Sequence, residues 1–133
     1  GGTRVVTTDD IRAFASLTDN HQWIHDNPER CKSESPYGAL IAHGLLLVTL
    51  IPALLPDAGT TLIGHKVRIV RGLDNLRLPS PVYAGEEVRV RVRRLKAYAA
   101  QSGKGTIVER EVELWSEGGE RPAVTCVLKL QYF

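Results

Sequence analysis

The sequence predicts an α+β domain in which one antiparallel sheet packs around a single buried helix. Three observations carry this. Helical patterns fill the first part of the chain and strand patterns the second, an order that favours an antiparallel sheet over repeated βαβ units. One segment, Ala39 to Leu55, is apolar on nearly every side, as a helix enclosed by a core is. The later segments alternate apolar and charged residues, the mark of half-buried strands. A chain of 133 residues has room for one domain with its own core, so residues 1–133 are read as that single domain.

The first helix follows Val5-Val6-Thr7-Thr8. Thr7 or Thr8 caps it, Asp9 and Asp10 suit the positive end of its dipole, and Ile11, Phe14, Ala15 and either Leu17 or Thr18 form its stripe. It is expected to end between Thr18 and Asn20. His21 to Asp26 reads as a polar loop around Trp23 and Ile24, and Pro28 opens a short helix reaching about Ser33. The apolar helix is expected over 39–55. It is short for a membrane span, which needs about 20 apolar residues, and it contains His43, Gly44 and Pro52. A core helix is the simpler reading, and no membrane partner is expected.

Beyond Pro56-Asp57-Ala58-Gly59 the character changes. Leu62 to Val70, the proline-broken run Leu76 to Val82, Glu87 to Lys96, Gly105 to Trp115 and Pro122 to Phe133 read as strands. Ala84-Gly85-Glu86, Gln101-Ser102-Gly103 and Gly118-Gly119 supply turns. A hairpin turning near Ala100-Gln101 would set Arg93 opposite Glu109, Arg91 opposite Glu111 and Arg89 opposite Glu113. Each such pair contributes about 0.2–1 kcal/mol, which gives the arginine stripe a structural explanation. Its functional alternative, open also to Arg68, Arg71 and Arg77, is contact with the phosphates of a nucleotide-bearing ligand or a carrier protein.

Composition removes several classes. With 43% apolar and 24% charged residues the chain is neither a disordered tail, a collagen-like repeat nor a coiled coil. A nucleic-acid binder usually carries a larger and more clustered basic excess than a formal charge of +2, so composition gives that class no support. Cys31 and Cys126 are too few for a disulfide scaffold, and two free thiols in a cytoplasmic protein are expected. The opening Gly1-Gly2-Thr3-Arg4 has no apolar signal region, in keeping with that localisation. His21 and His25 have i,i+4 spacing but no third ligand, and no nucleotide or dinucleotide fingerprint occurs, so neither a metal nor a cofactor is expected.

The chemistry-bearing residues that remain are His25, in the polar stretch, and His43 followed by Gly44, near the start of the apolar helix. A histidine beside apolar sequence is commonly a satisfied core residue. A helix N-terminus, however, offers unpaired N–H groups and a positive dipole end, and a glycine there lets a ligand approach the backbone. That combination suits an oxyanion such as the carbonyl oxygen of a thioester.

The run Thr18-Asp19-Asn20-His21-Gln22-Trp23-Ile24-His25-Asp26-Asn27-Pro28-Glu29-Arg30 resembles a segment of the MaoC-like dehydratases. So, in order and spacing, do Ser35-Pro36-Tyr37-Gly38, Ile41-Ala42-His43-Gly44, Gly72 to Val82 and Gly85-Glu86-Glu87-Val88. The resemblance covers almost the whole chain. It implies a hotdog fold, an antiparallel sheet wrapped around a long central helix. It also implies a homodimer with active sites near the subunit interface, and hydration or dehydration of acyl thioesters carried by coenzyme A or an acyl carrier protein. The family pairs an Asp with a His five residues later. His25 matches the His, Gly44 matches the glycine whose N–H serves the thioester oxygen, and Asn20 stands in the Asp position. Asp19 lies one place early, and a one-residue shift would place it in the catalytic slot; Asn27 occupies a position that is often Asp in the family.

Asn20 matters because an amide orients water but accepts no proton near neutral pH. Three expectations follow: an acyl-thioester hydratase or dehydratase with His25, Asn20 and Gly44 as its catalytic set; a repurposed hotdog enzyme guiding an intramolecular addition or cyclisation; or a non-catalytic acyl-binding subunit. Trp23, His43 and Tyr37 are candidates for substrate contact, each with core or interface packing as its plainer role.

Overall fold

In the computed structural model the described residues are 2–56 and 64–133. The expected turn over 57–59 and the strand start at Leu62 lie outside them. The elements run β1 (Thr3–Val5), α1 (Thr8–Thr18), α2 (Trp23–Asp26), α3 (Pro28–Glu34), α4 (Gly44–Leu54), β2 (Arg68–Arg77), β3 (Glu87–Ala99), β4 (Thr106–Ser116) and β5 (Val124–Tyr132). The five strands form one sheet in the order β1-β3-β4-β5-β2, and every neighbouring pair is antiparallel. Helix α4 supplies Leu46, Leu47, Val48, Ile51 and Leu54 to a core completed by Val88, Val112, Leu114, Val124, Leu128 and Leu130 from the sheet. This is the hotdog arrangement.

Helix α1 begins as its sequence dictates. Thr7 caps it, accepting from the Asp10 N–H at 3.0 Å, while the Asp10 carboxylate accepts from the Thr7 N–H at 3.0 Å. It closes on Asp19 in the left-handed region at φ 53°, a conformation that Asp and Asn tolerate better than most residues.

The apolar run divides where one helix was expected. Only Gly44–Leu54 is helical; residues 39–43 are not. Ile41 bridges to Tyr83, and Ala42 donates to the Val82 carbonyl at 2.8 Å. A buried extended segment and a buried helix are alike in being apolar throughout, so periodicity does not separate them. The stretch read as a polar loop contains the helical turn α2, and the expected runs Leu62 to Val70 and Leu76 to Val82 give way to one strand, β2. Register shifts between Val70 and Gly72 and between Asp74 and Arg77 interrupt its alternation and disguise its continuity. β1 is too short at 3 residues to show a period.

The β3–β4 hairpin exists, but in another register than expected. Arg91 faces Glu113, Arg94 faces Glu111 and Lys96 faces Glu109, while Arg89 faces Trp115. The ladder ends at Ala99 and Thr106, with the Ala100 N–H donating to the Gly105 carbonyl, so the loop is longer than the turn assumed from sequence. A bulge between Val92 and Arg94 adds a second displacement. Arg93, the extra residue, still reaches Glu113 at 3.6 Å. Among the described residues no helix is long and apolar enough to cross a membrane, and Cys31 and Cys126 are both free and buried.

Candidate active site

His25 is delivered by α2, and α2 is held from three sides. Asn27 ends it and caps α3, its side chain accepting from the Arg30 N–H at 3.0 Å. Asn and Asp cap equally well, so the departure at position 27 is structurally neutral. The buried Cys31 thiol lies 3.6 Å and 3.5 Å from the Trp23 and Ile24 carbonyls, and burial pushes its pKa up. The Ile41 N–H donates to the Ile24 carbonyl at 3.2 Å.

The His25 ring is buried, and its Nδ1 lies 2.8 Å from the Ile41 carbonyl. A carbonyl oxygen only accepts, so Nδ1 carries the proton of the neutral ring and Nε2 is a bare base. Burial lowers the His25 pKa below the ordinary histidine value. The bond to Ile41 opposes this, and the nearby His43 adds to the lowering.

His25 lines a cavity of about 300 Å³ with Gly44, Tyr37, Leu78, Ser80 and Arg121 among its other walls. Gly44 opens α4. Its N-cap, His43, makes no side-chain cap bond, and the first helical bond runs from the Leu47 N–H to the His43 carbonyl at 3.3 Å. The three N–H groups before Leu47 therefore have no acceptor within the helix. A base and a helix N-terminus thus share one cavity, the pairing needed to move a proton while holding an oxyanion.

Gly44 also leaves room for a neighbouring side chain. A Cβ there would sit 2.7 Å from Leu78 Cδ1. Leu78 is 49% exposed and free to turn away, and Ala favours a helix over Gly by roughly 1 kcal/mol. Gly44→Ala is therefore expected to fold with a stability change of about 1 kcal/mol or less. Its methyl and the displaced Leu78 narrow the approach to the helix amides, and turnover in the cavity is expected to fall ~10²-fold, the scale of losing one oxyanion donor. Thermal melts beside acyl-thioester kinetics check this; unaltered turnover would show that no substrate atom comes near Gly44.

The other expected site residues divide. Tyr37 lines the cavity. His43 does not: it is 2% exposed and stacked behind His25, with ring centroids 3.9 Å apart and planes at 22°. Trp23 is also absent from the wall, its indole lying under the Arg30 guanidinium at 4.3 Å. The Asn20 side chain is exposed and makes no hydrogen bond among the described residues; its backbone carbonyl accepts from His43 Nε2 at 3.1 Å. Arg68 and Arg77 bond backbone carbonyls, of Pro52 and Leu76, and Arg71 bonds the Gln131 side chain, so none of these three reaches the cavity.

Sequence reasoning missed Arg121, a cation in the wall contributed by the β4–β5 connection, and the Ile41 carbonyl that sets the His25 tautomer. Nothing local marks either, because tertiary contacts bring them in. The Ser80 hydroxyl, donating to the Pro122 carbonyl at 3.1 Å, ties the β2–β3 connection beside Arg121. His21 is exposed, 3.8 Å from Asp19, and among the described residues no three His, Cys, Asp or Glu side chains are grouped to hold a metal.

The profile described as the MaoC like domain matches residues 2–116. The chain is 35% identical over 130 residues to 3-hydroxyacyl-thioester dehydratase Z of Mycobacterium tuberculosis, covering 96% of this chain and 82% of that protein. It is 35% identical over 127 residues to nodulation protein N of Rhizobium leguminosarum bv. viciae, covering 94% and 78%. In structure it is similar to an (R)-hydratase from A. caviae, with a TM-score of 0.74 at 24% identity over 98% of this chain and 90% of that one. By the extent of the domain match and its identity to these relatives, the chain belongs to the MaoC-like family, on the hotdog fold.

Proposed function

We propose that this protein adds water to an enoyl thioester of coenzyme A or of an acyl carrier protein, or catalyses the reverse elimination. The observation that carries the reading is the cavity in which the bare Nε2 of His25 and the N-terminus of α4 at Gly44 meet. In the hydration direction His25 takes a proton from water as the oxygen attacks the β-carbon. The electron pair moves to the thioester oxygen, which accepts a hydrogen bond from the Gly44 N–H. The imidazolium then returns its proton to the α-carbon, so H and OH are added and the enzyme is restored. Asn20, an amide, neither takes nor gives a proton, and its side chain lies outside the cavity wall, so His25 carries both transfers.

The test is hydration of short trans-2-enoyl thioesters on each carrier, followed by loss of the enoyl-thioester absorbance. Protection of the protein against heat by these thioesters with no product formed would reject the hydratase reading in favour of acyl binding alone. A second reading, a repurposed pocket guiding an intramolecular addition, is favoured by one observation: the Asn20 side chain is exposed and outside the cavity wall. Product formation that survives His25→Ala would select it.

The protein works as a homodimer joined along β2. That strand is a sheet edge of 10 residues, and Ile69, Val70 and Leu73 on it are 38%, 49% and 39% exposed. An exposed apolar edge is a pairing surface. Light scattering is expected to give twice the 14.7 kDa chain mass, and Val70→Lys to shift it towards one chain. A single-chain mass for the unsubstituted protein would refute the dimer.

A further inference from the structure

We propose that His43 is a positioning residue for His25, a flat platform that fixes the plane of the acid–base imidazole and so keeps its Nδ1 on the Ile41 carbonyl that sets the tautomer. The proposal rests on the reading of His25 as that acid–base group.

Two constraints act on the His25 ring. The Ile41 carbonyl accepts from Nδ1 and fixes the ring in its own plane. The His43 ring covers one face, at 3.9 Å between centroids and 22° between planes. A platform works only if it is itself fixed. His43 Nε2 donates to the Asn20 carbonyl at 3.1 Å, and the Phe14 ring meets His43 edge-on, with centroids 5.0 Å apart at 61°. The carbonyl bond assigns the His43 proton to Nε2 and leaves Nδ1 bare, and that atom is buried without a partner. Buried polar atoms are rarely left unpaired, and an apolar ring would fill the same space without that cost. A role in core filling alone leaves the imidazole unexplained. The bond to position 20 gives the imidazole a use that an apolar ring lacks: its Nε2–H ties the stacked ring to the chain just after α1.

The other ionisable side chains in the cavity wall are Tyr37 and Arg121, and Asp19 and His21 flank Asn20 on the exposed side. None of them is stacked on or hydrogen-bonded to His25. His43 is therefore the ionisable neighbour in direct ring contact with it.

The experiment is nitrogen-15 NMR of the imidazoles, with kcat and KM for an enoyl thioester, on the full chain and two variants. In the unsubstituted protein His25 is expected to hold its proton on Nδ1. His43→Gln keeps a donor but removes the ring. It should mix the His25 tautomers, move the His25 titration towards ordinary histidine, and lower kcat ~10–100-fold, the scale of a misplaced catalytic group, with KM nearly unchanged. His43→Phe keeps a ring and the core volume, and should retain the Nδ1–H tautomer with a smaller loss of kcat. An unaltered His25 tautomer and titration in His43→Gln overturns the proposal. So does a scrambled tautomer in His43→Phe, which also decides the matter if His43→Gln does not fold. Absence of turnover in every form, the unsubstituted protein included, would reject the hydratase reading instead, while the NMR comparison still tests the platform.

Discussion

His25→Ala is expected to lower kcat/KM for enoyl-thioester hydration ~10²–10⁴-fold, the usual contribution of a positioned acid–base group. The fold should survive, because α2 is held by the Asn27 cap and by backbone bonds to residues outside its own turn. The pH profile gives the loss its signature. In the proposed reaction His25 acts as a base when neutral, and burial sets its pKa below the ordinary histidine value. Activity should therefore persist below the pH at which an exposed histidine would have charged, and fall only as pH drops through the lower value. That acid limb should vanish in His25→Ala. The same depression makes a contribution to stability. Between the two pKa values the unfolded chain binds more protons than the folded one. This contribution is fully present above the ordinary histidine value and is lost as pH falls through the depressed one. A kcat/KM profile with the same acid limb in both proteins would show that another group titrates.

Asn20→Asp is expected to raise turnover, by up to ~10²–10⁴-fold, as the exposed side chain turns into the cavity and supplies the second proton-handling group that an amide cannot be. The exchange is nearly isosteric. The Asn20 side chain is exposed and makes no bond among the described residues, while its backbone carbonyl keeps its bond to His43. Stability should accordingly change little. Strong turnover by Asn20→Asp beside none by the unsubstituted protein would mean that the natural chain is no hydratase and that its pocket serves another reaction. No gain at all would show that the side chain at position 20 never meets the water, and would leave His25 as the only proton carrier.

Much of this molecule was legible in its residues. Thr7-Thr8 followed by Asp9 and Asp10 marks a helix start, and α1 begins there, with Thr7 rather than Thr8 as its cap. The β3–β4 hairpin was visible in valines alternating with arginines, set against strand β4 with its alternating glutamates. Its register was not, and the reason is specific. Arg93-Arg94 breaks the alternation, which marks the bulge, but the length of the loop from Ala100 to Gly105 is set by two glycines at positive φ rather than by any pattern in the strands. The apolar run from Ala39 misled for a related cause: burial on all sides looks alike in a helix and in an extended segment.

The site shows the same division. His25 and Gly44 were identifiable because a base and a glycine at a helix start are chemical types in a local pattern. His43 and Trp23 were legible as residues but not as places, since which side of His25 a ring stands on depends on how α1, α2 and the start of α4 pack. Arg121 and the Ile41 carbonyl were not legible at all. The sequence by itself determined the fold class, the presence of a buried apolar helix and the start of α1, because those follow from local periodicity and residue chemistry. The tertiary structure alone decided the His25 tautomer, the ring behind it and the cation in its cavity wall, because each depends on contacts between segments distant along the chain.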